Sequence, residues 1–230
     1  MVASHGFLVT MEKQITSIQA QQRNRNRVNI HLDGEYAFSL DRVAAAWLSV
    51  GQKLTENDID RLLSKDEYES ALGKALRYLS YRSRSRQEML RYLQKKGYQE
   101  SLIERILAYL QAEKLIDDAK FASDWIENRQ TFRPRSQRMM KMELRQKGVD
   151  DEAILEVFEA AELDDLELAL AAGRKLNKRY QKLEKQEYFQ KLGAALQRRG
   201  FSYSTVKECL PQLWQENKEP EGLEHRKWSN

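Results

Sequence analysis

The sequence predicts a mostly α-helical protein built from tandem repeats of three-helix, helix-turn-helix-like modules in an elongated array, behind a small N-terminal region of β-hairpin and helices. Three observations carry this. One unit is stated three times: LQKKGY (93–98), LRQKGV (144–149) and LQRRGF (196–201) each place a leucine four residues before Gly97, Gly148 or Gly200. An apolar residue follows each glycine by six (Ile103, Ile154, Val206) and by ten (Leu107, Phe158, Leu210). The glycines lie 51 and 52 residues apart, and recurrence at a near-fixed period marks a repeated supersecondary unit. Apolar residues three and four apart flank each glycine, the helical period. Near the N-terminus, Asp33–Gly34 separates two stretches of alternating polarity, the signature of a hairpin turn. An array of such modules touches mainly its neighbours, which makes it long.

Taken in order, Val28–Leu32 and Tyr36–Leu40 alternate apolar and polar, and Gln14–Gln22 is a candidate third strand. Two or three strands do not stand alone in water, so they are expected to pack on helices. Arg23, Arg25 and Arg27 share one face of an extended chain. They are either a nucleic-acid contact or a charged, unpaired sheet edge, and the edge is the preferred reading. Asp41–Val50 reads as a short helix ending at Gly51. Thr55 then caps a longer helix with Asp58 completing a capping box, and Ser64–Asp66 is a candidate break in it.

The first repeat opens at Ser85-x-x-Glu88, a second capping box, buries Met89, Leu90 and Leu93, and ends at Gly97 in the left-handed position after a helix. Its second helix buries Leu102, Ile103, Ile106, Leu107 and Leu110. Its third, capped by Asp117 or Asp118, carries Phe121, Ala122, Trp125 and Ile126. Pro134 marks a linker, because the residue before a proline is biased to extended backbone. The second repeat starts at Ser136, turns at Gly148, and closes with a helix near Asp164–Tyr180. In the third, Pro211 falls inside the last helix and is expected to kink or stop it. The resulting division is 1–80 for the N-terminal region, 81–131, 132–181 and a shorter 182–216 for the repeats, and 217–230 for a polar tail.

The composition, 32% charged and 41% hydrophobic with three prolines, fits a folded, helix-rich chain. No apolar run approaches the ~20 residues that span a bilayer, so no membrane contact is expected. MVASHGFLVTMEK lacks a basic n-region before its apolar patch, and Cys209 is the lone cysteine; both point to the cytoplasm. Motifs for metal, nucleotide, acyl-transfer or redox chemistry are missing, and His5, His31 and His225 are scattered, so no catalytic residue, metal or cofactor is expected and the chain is read as not an enzyme. The paired acids Asp117–Asp118 and Asp164–Asp165 each precede a helix, where a carboxylate caps free N–H groups.

Charge is sorted along the chain. Residues 82–96 carry Arg82, Arg84, Arg86, Arg91, Lys95 and Lys96 against Glu88 alone. Residues 133–147 carry Arg133, Arg135, Arg138, Lys141, Arg145 and Lys147 against Glu143 alone. Asp150–Glu167 holds nine acids and no base. With Arg198 and Arg199 before the third glycine, these bases are the candidate partner- or nucleic-acid-binding residues. The plainer reading is ordinary solvated helix surface.

The RSRSRQEMLRYLQKKGY stretch (82–98), the repeated L-x-x-[KR]-G turns and LIDDAKFASDWIENR (115–129) together resemble the RecX family of bacterial regulators, from about Tyr78 to Leu213. The resemblance implies tandem three-helix repeats acting, without a cofactor, as a monomer on the RecA recombinase filament and its DNA. It implies mostly inhibition of strand exchange, ATP hydrolysis and co-protease function, within homologous recombination, DNA repair and the SOS response. A stand-alone helix-turn-helix regulator that reads duplex DNA remains the alternative.

Overall fold

A computed structural model describes residues 12–218 of the protein. His5, His225 and all but two residues of the 217–230 tail lie outside them. The chain divides into two units, one formed by Met1–Tyr81 and Gly97–Ile106, the other by Arg82–Lys96 and Leu107–Asn230.

The first unit holds a four-stranded antiparallel sheet rather than a hairpin of two or three strands. Strands β1 (Lys13–Ala20), β2 (Arg27–Leu32), β3 (Glu35–Asp41) and β4 (Lys53–Leu54) lie in the order β3-β2-β1-β4. Asp33 and Gly34 take φ values of 51° and 91°, the left-handed pair that a two-residue hairpin turn requires. Alternation in β2 sends Val28, Ile30 and Leu32 into a core with Ile15, Phe38, Leu40 and Leu54. The expected helix over Asp41–Val50 is only a 3-10 turn, Ala44–Trp47. The chain beyond it is drawn back into the sheet by hydrogen bonds Gly51 N to Ile15 O and Ile15 N to Gln52 O, both 2.8 Å.

Helix α1 (Glu56–Leu79) starts with the expected Thr55/Asp58 capping box but runs unbroken through Ser64–Asp66. Asp66 faces inward, accepts Arg27 Nη2 at 3.0 Å and the Asp41 amide at 2.6 Å, and so ties the helix to the sheet. Arg27 is therefore an internal anchor on the interior strand β2, which overturns the charged-edge reading for it. Arg23 and Arg25 belong to the exposed loop before that strand. On α1 the fully buried apolar residues are Ala71 and Ala75, while Leu63 and Leu76 are exposed.

The second unit holds α2 (Arg86–Lys95), α4 (Asp118–Phe132), α5 (Gln137–Gln146), α6 (Asp151–Ala160), α7 (Asp165–Tyr180), α8 (Lys185–Gln197) and α9 (Tyr203–Lys218); α3 (Glu100–Ala112) is shared between the two. One apolar core runs from Phe121 and Ile126 of α4 to Leu210 and Leu213 of α9. The helices pack as α4 with α5 and α6, and as α7 with α8 and α9. The leading helix of each group is thus the one that the 81–131, 132–181 and 182–216 division placed at the end of the preceding repeat.

The three repeat glycines have φ of 85°, 79° and 92°. At Gly148 the closure is complete: Val149 N reaches back to Leu144 O at 3.1 Å and Gly148 N to Arg145 O at 2.9 Å, which satisfies carbonyls that the helix end leaves open. Helix α9 does not stop at Pro211. Its second half is held from outside: Leu213 is fully buried, Tyr188 Oη donates to Leu213 O at 3.3 Å, and Glu216 pairs with Arg174. These contacts outweigh the one backbone bond that the proline removes.

Candidate partner-binding surface

Two matching sets of hydrogen bonds fix the helices that carry the basic residues. Ser85 caps α2 by accepting the Glu88 amide at 3.1 Å, and its hydroxyl donates to Lys147 O, at the end of α5, at 2.5 Å. Ser136 caps α5 by accepting the Met139 amide at 3.2 Å, and its own amide donates to Arg199 O, at the end of α8, at 3.1 Å. Both serines are fully buried. The glycines permit this approach, since a Cβ on Gly148 would collide with Gln87 of α2 and one on Gly200 would lie 2.5 Å from Ser136 Oγ.

The paired acids serve the same interlock. Asp117 and Asp164 cap their own helices, accepting the amides of Lys120 and Leu166 at 2.9 Å. Asp118 and Asp165 instead accept the first free amides of α2 and α5, those of Arg86 and Gln137, at 2.8 Å. Burial raises the Asp118 carboxyl above its ordinary pKa, although the Arg86 amide opposes the shift.

On this frame the sequence-predicted bases separate into two groups. Several are consumed inside the unit. Glu88 accepts Arg82 at 2.8 and 3.0 Å and Lys147 at 2.7 Å, so only half of the expected Ser85/Glu88 capping box forms. Burial alone would raise the Glu88 carboxyl; the hydrogen bonds and charges of Arg82 and Lys147 together reverse this and hold it below the usual glutamate value. Glu143 gathers Trp125 Nε1 at 2.9 Å, Arg129 Nε at 2.8 Å, and Arg135. Arg145 meets Asp151 at 2.6 Å, and Lys141 lies over the Phe158 ring, 4.8 Å from its centroid. Arg84 and Arg86 are half-buried.

Arg91, Lys95, Lys96, Arg133, Arg138 and Arg198 are exposed and form no ion pair with another described residue. Arg91 comes no nearer than 3.5 Å to Gln146 O, and Lys96 lies 5.5 Å from the Tyr92 ring centroid. On the helices that carry Arg91, Lys95 and Arg138, Leu93 and Leu144 are by contrast fully buried. Arg198 also lines an open cleft of about 510 Å³ with Arg179, Tyr180 and Lys191. Arg199 is half-buried, and burial, followed by the charge of Arg135, lowers its pKa. Exposed guanidinium and ammonium groups of this kind are the donors that pair with phosphates or carboxylates.

Sequence reasoning located Ser85, Glu88, Ser136 and Glu143 but missed what they do between helices: Glu88 and Glu143 as counter-charges, Ser85 and Ser136 as the interlock. A signal for the carboxylates was present: each is the lone acid in a run of six bases. Among the described residues, no three His, Cys, Asp or Glu side chains come together as a metal site, and no helix is long and apolar enough to cross a membrane.

Four family profiles match the chain: the regulatory protein RecX N-terminal domain over residues 13–55, and the first, second and third three-helix domains of RecX over 71–110, 117–157 and 162–210. Each three-helix match brackets one glycine turn between its second and third helices. The chain is 37% identical to the regulatory protein RecX of Bacillus licheniformis over 88% of its own length and 78% of the relative's. It is 30% identical to that of Clostridium tetani over 87% and 94% respectively. A crystal structure of regulatory protein RecX superposes with a TM-score of 0.60 at 28% identity, covering 86% of this chain and 98% of the other. One of RecX from Lactobacillus salivarius gives 0.54 at 25% identity, covering 65% and 97%.

Proposed function

The chain belongs to the RecX family of regulatory proteins, and from that premise we propose that it binds the RecA recombinase filament on DNA and restrains its recombinase, ATPase and co-protease activities. The supporting observation is the division of the basic runs. Within the same segments some cations are neutralised by carboxylates of the same unit, whereas Arg91, Lys95, Lys96, Arg138 and Arg198 stay exposed without an ion-pair partner among the described residues. Uncompensated like charges on one protein repel each other, and a polyanionic partner relieves that repulsion.

One feature counts against a stand-alone duplex-reading regulator. In a helix-turn-helix, the helix after the turn enters the major groove between two rows of phosphates. Here α6 follows the Gly148 turn with Asp151, Glu152, Glu156 and Glu159 and no base. Phosphates would repel it.

Co-sedimentation with recombinase filaments on single-stranded DNA tests the proposal. The variant is Arg91→Gln, Lys95→Gln, Arg138→Gln and Arg198→Gln together, with circular dichroism as the folding control. Its affinity should fall, and its salt dependence should flatten by roughly 0.7 in log–log slope per lost phosphate contact. A folded variant that binds with the wild-type affinity and salt slope would refute the role of these cations. Sequence-preferring binding to free duplex would favour the other reading.

A further inference from the structure

At one end of the N-terminal sheet two loops meet. The loop of residues 21–26 precedes β2, and the segment from Arg42 through the 3-10 turn follows β3. Arg42 N donates to Asn26 O at 2.7 Å, and the strands beside them are in register, with Arg27 opposite Asp41. Arg23, Arg25 and Arg42 are all exposed there. The local carboxylates are already used: Asp66 holds Arg27 and the Asp41 amide, and Asp41 accepts the Val43 amide at 2.9 Å. None of the three arginines has an ion-pair partner among the described residues.

The segment that carries Arg42 also carries an uncovered aromatic. Trp47 is 86% exposed and Val43 74%. The 3-10 turn explains why: Ala45 is buried and Ala44 and Leu48 pack on the sheet core, so Trp47 is left to project outward. The 3-10 turn Ala44–Trp47 starts two residues after Arg42 and rises about 2 Å per residue, so it advances only about 6 Å from Ala44 to Trp47. A tryptophan this bare loses its whole apolar area to water, and such residues commonly mark binding sites.

We infer that this end of the sheet is a second, independent contact for single-stranded nucleic acid, with a base stacked on Trp47 and the backbone phosphates held by Arg23, Arg25 and Arg42. The combination selects the ligand. An apolar patch alone would suit a protein surface, but three exposed arginines without ion-pair partners and one exposed indole, carried by two loops that meet at the Asn26–Arg42 hydrogen bond, match a polyanion that carries flat apolar rings. A single strand offers free base faces, whereas a duplex has its bases already stacked. The site lies in the first unit and uses none of the helical cations of the second, so it does not rest on their proposed role.

The test is fluorescence anisotropy of a labelled oligothymidylate with the full chain and no recombinase present, over a series of salt concentrations. Trp47→Ala should weaken binding by roughly five- to a hundred-fold, the range for one lost aromatic stack, with the salt slope unchanged. Arg23→Gln, Arg25→Gln and Arg42→Gln together should flatten the slope by roughly 2, at about 0.7 per phosphate. Trp47→Phe, which keeps a ring, should restore most of the affinity, and thermal melts establish that each variant is folded. The Trp47→Ala loss should persist in the Arg91, Lys95, Arg138 and Arg198 quadruple variant, which separates the two surfaces. Wild-type protein that fails to bind the oligonucleotide at low salt, or folded variants that bind as well as wild type, would overturn the inference. So would a Trp47→Ala protein that binds the oligonucleotide normally but loses recombinase filaments, since the patch would then face protein.

Discussion

Replacing Gly148 by alanine should destabilise the protein by about 2–4 kcal/mol, and the structure separates that figure into two parts. The first is conformational. Gly148 sits at φ 79°, and an L-residue held in the left-handed region costs about 1 kcal/mol. The second is steric. The new Cβ would lie closer than 3.0 Å to Cβ and Cγ of Gln87, and although Cγ can rotate away, Cβ is fixed to the α2 backbone. Forcing an extra carbon into a packed contact costs about 1–3 kcal/mol more. Gly97 supplies the control: its φ is 85°, but a Cβ there meets nothing within 4 Å, so Gly97→Ala should cost only the first part, about 1 kcal/mol. Gly200→Ala should resemble Gly148→Ala, because Ser136 Oγ at 2.5 Å and Met139 Cβ at 2.8 Å stand in the way. Urea denaturation followed by far-ultraviolet circular dichroism gives all three differences as shifts in midpoint at constant slope. Equal costs at Gly97 and Gly148 would refute the reasoning, since the close approach between the α2 start and the α5 turn would then carry no energy.

Three further outcomes follow from particular side chains. Glu88 has a folded pKa below its unfolded value of about 4.3, so its stabilisation is present above that value and is lost as pH falls through the folded pKa. Glu88→Gln should thus be less stable than wild type at pH 7 by on the order of 1–3 kcal/mol, with the two converging as pH falls through the folded pKa of Glu88; a gap that stays constant down the acid limb would contradict the Arg82–Glu88–Lys147 pairing. Lys114 closes α3 at φ 54°, with Leu115 N bonded to Leu110 O at 2.8 Å, a position glycine fits better; Lys114→Gly should raise stability by up to about 1 kcal/mol, and a lower melting temperature would count against this cap. Cys209 is fully buried, and burial pushes its thiol up to about 11, so a thiol reagent at pH 8 should label it only as fast as α9 opens; immediate labelling of the native protein would show that α9 does not cover it.

What was legible in the sequence was local and repeated. A leucine four residues ahead of a glycine, met three times, located the Gly97, Gly148 and Gly200 turns because helix ending is a short-range event. Thr55 and Asp58 announced their capping box for the same reason. Features set by distant partners were not legible. Asp66 reads as a helix break in the sequence because its partner Arg27 lies far away along the chain. Pro211 looked like a stop because the contacts of Leu213 and Glu216 with α7 and α8 lie outside its own segment. In the basic runs, periodicity shows which residues leave the core, but not which of them a carboxylate from another helix will neutralise. Lys141 and Arg145, equal to Arg138 in the sequence, are engaged by Phe158 and Asp151, and only Arg138 of the three stays without such a partner among the described residues.

The central claim, that this chain restrains the recombinase filament through its exposed helical cations, is tested most directly by recombinase ATPase on single-stranded DNA titrated with the protein. Wild-type protein should lower the turnover in a saturable manner. The folded Arg91, Lys95, Arg138 and Arg198 to Gln variant should need at least roughly tenfold more protein for the same effect, the equivalent of about 1.4 kcal/mol of lost binding. ATPase that is unchanged by wild-type protein at every concentration, or inhibited equally by the variant, would contradict the account.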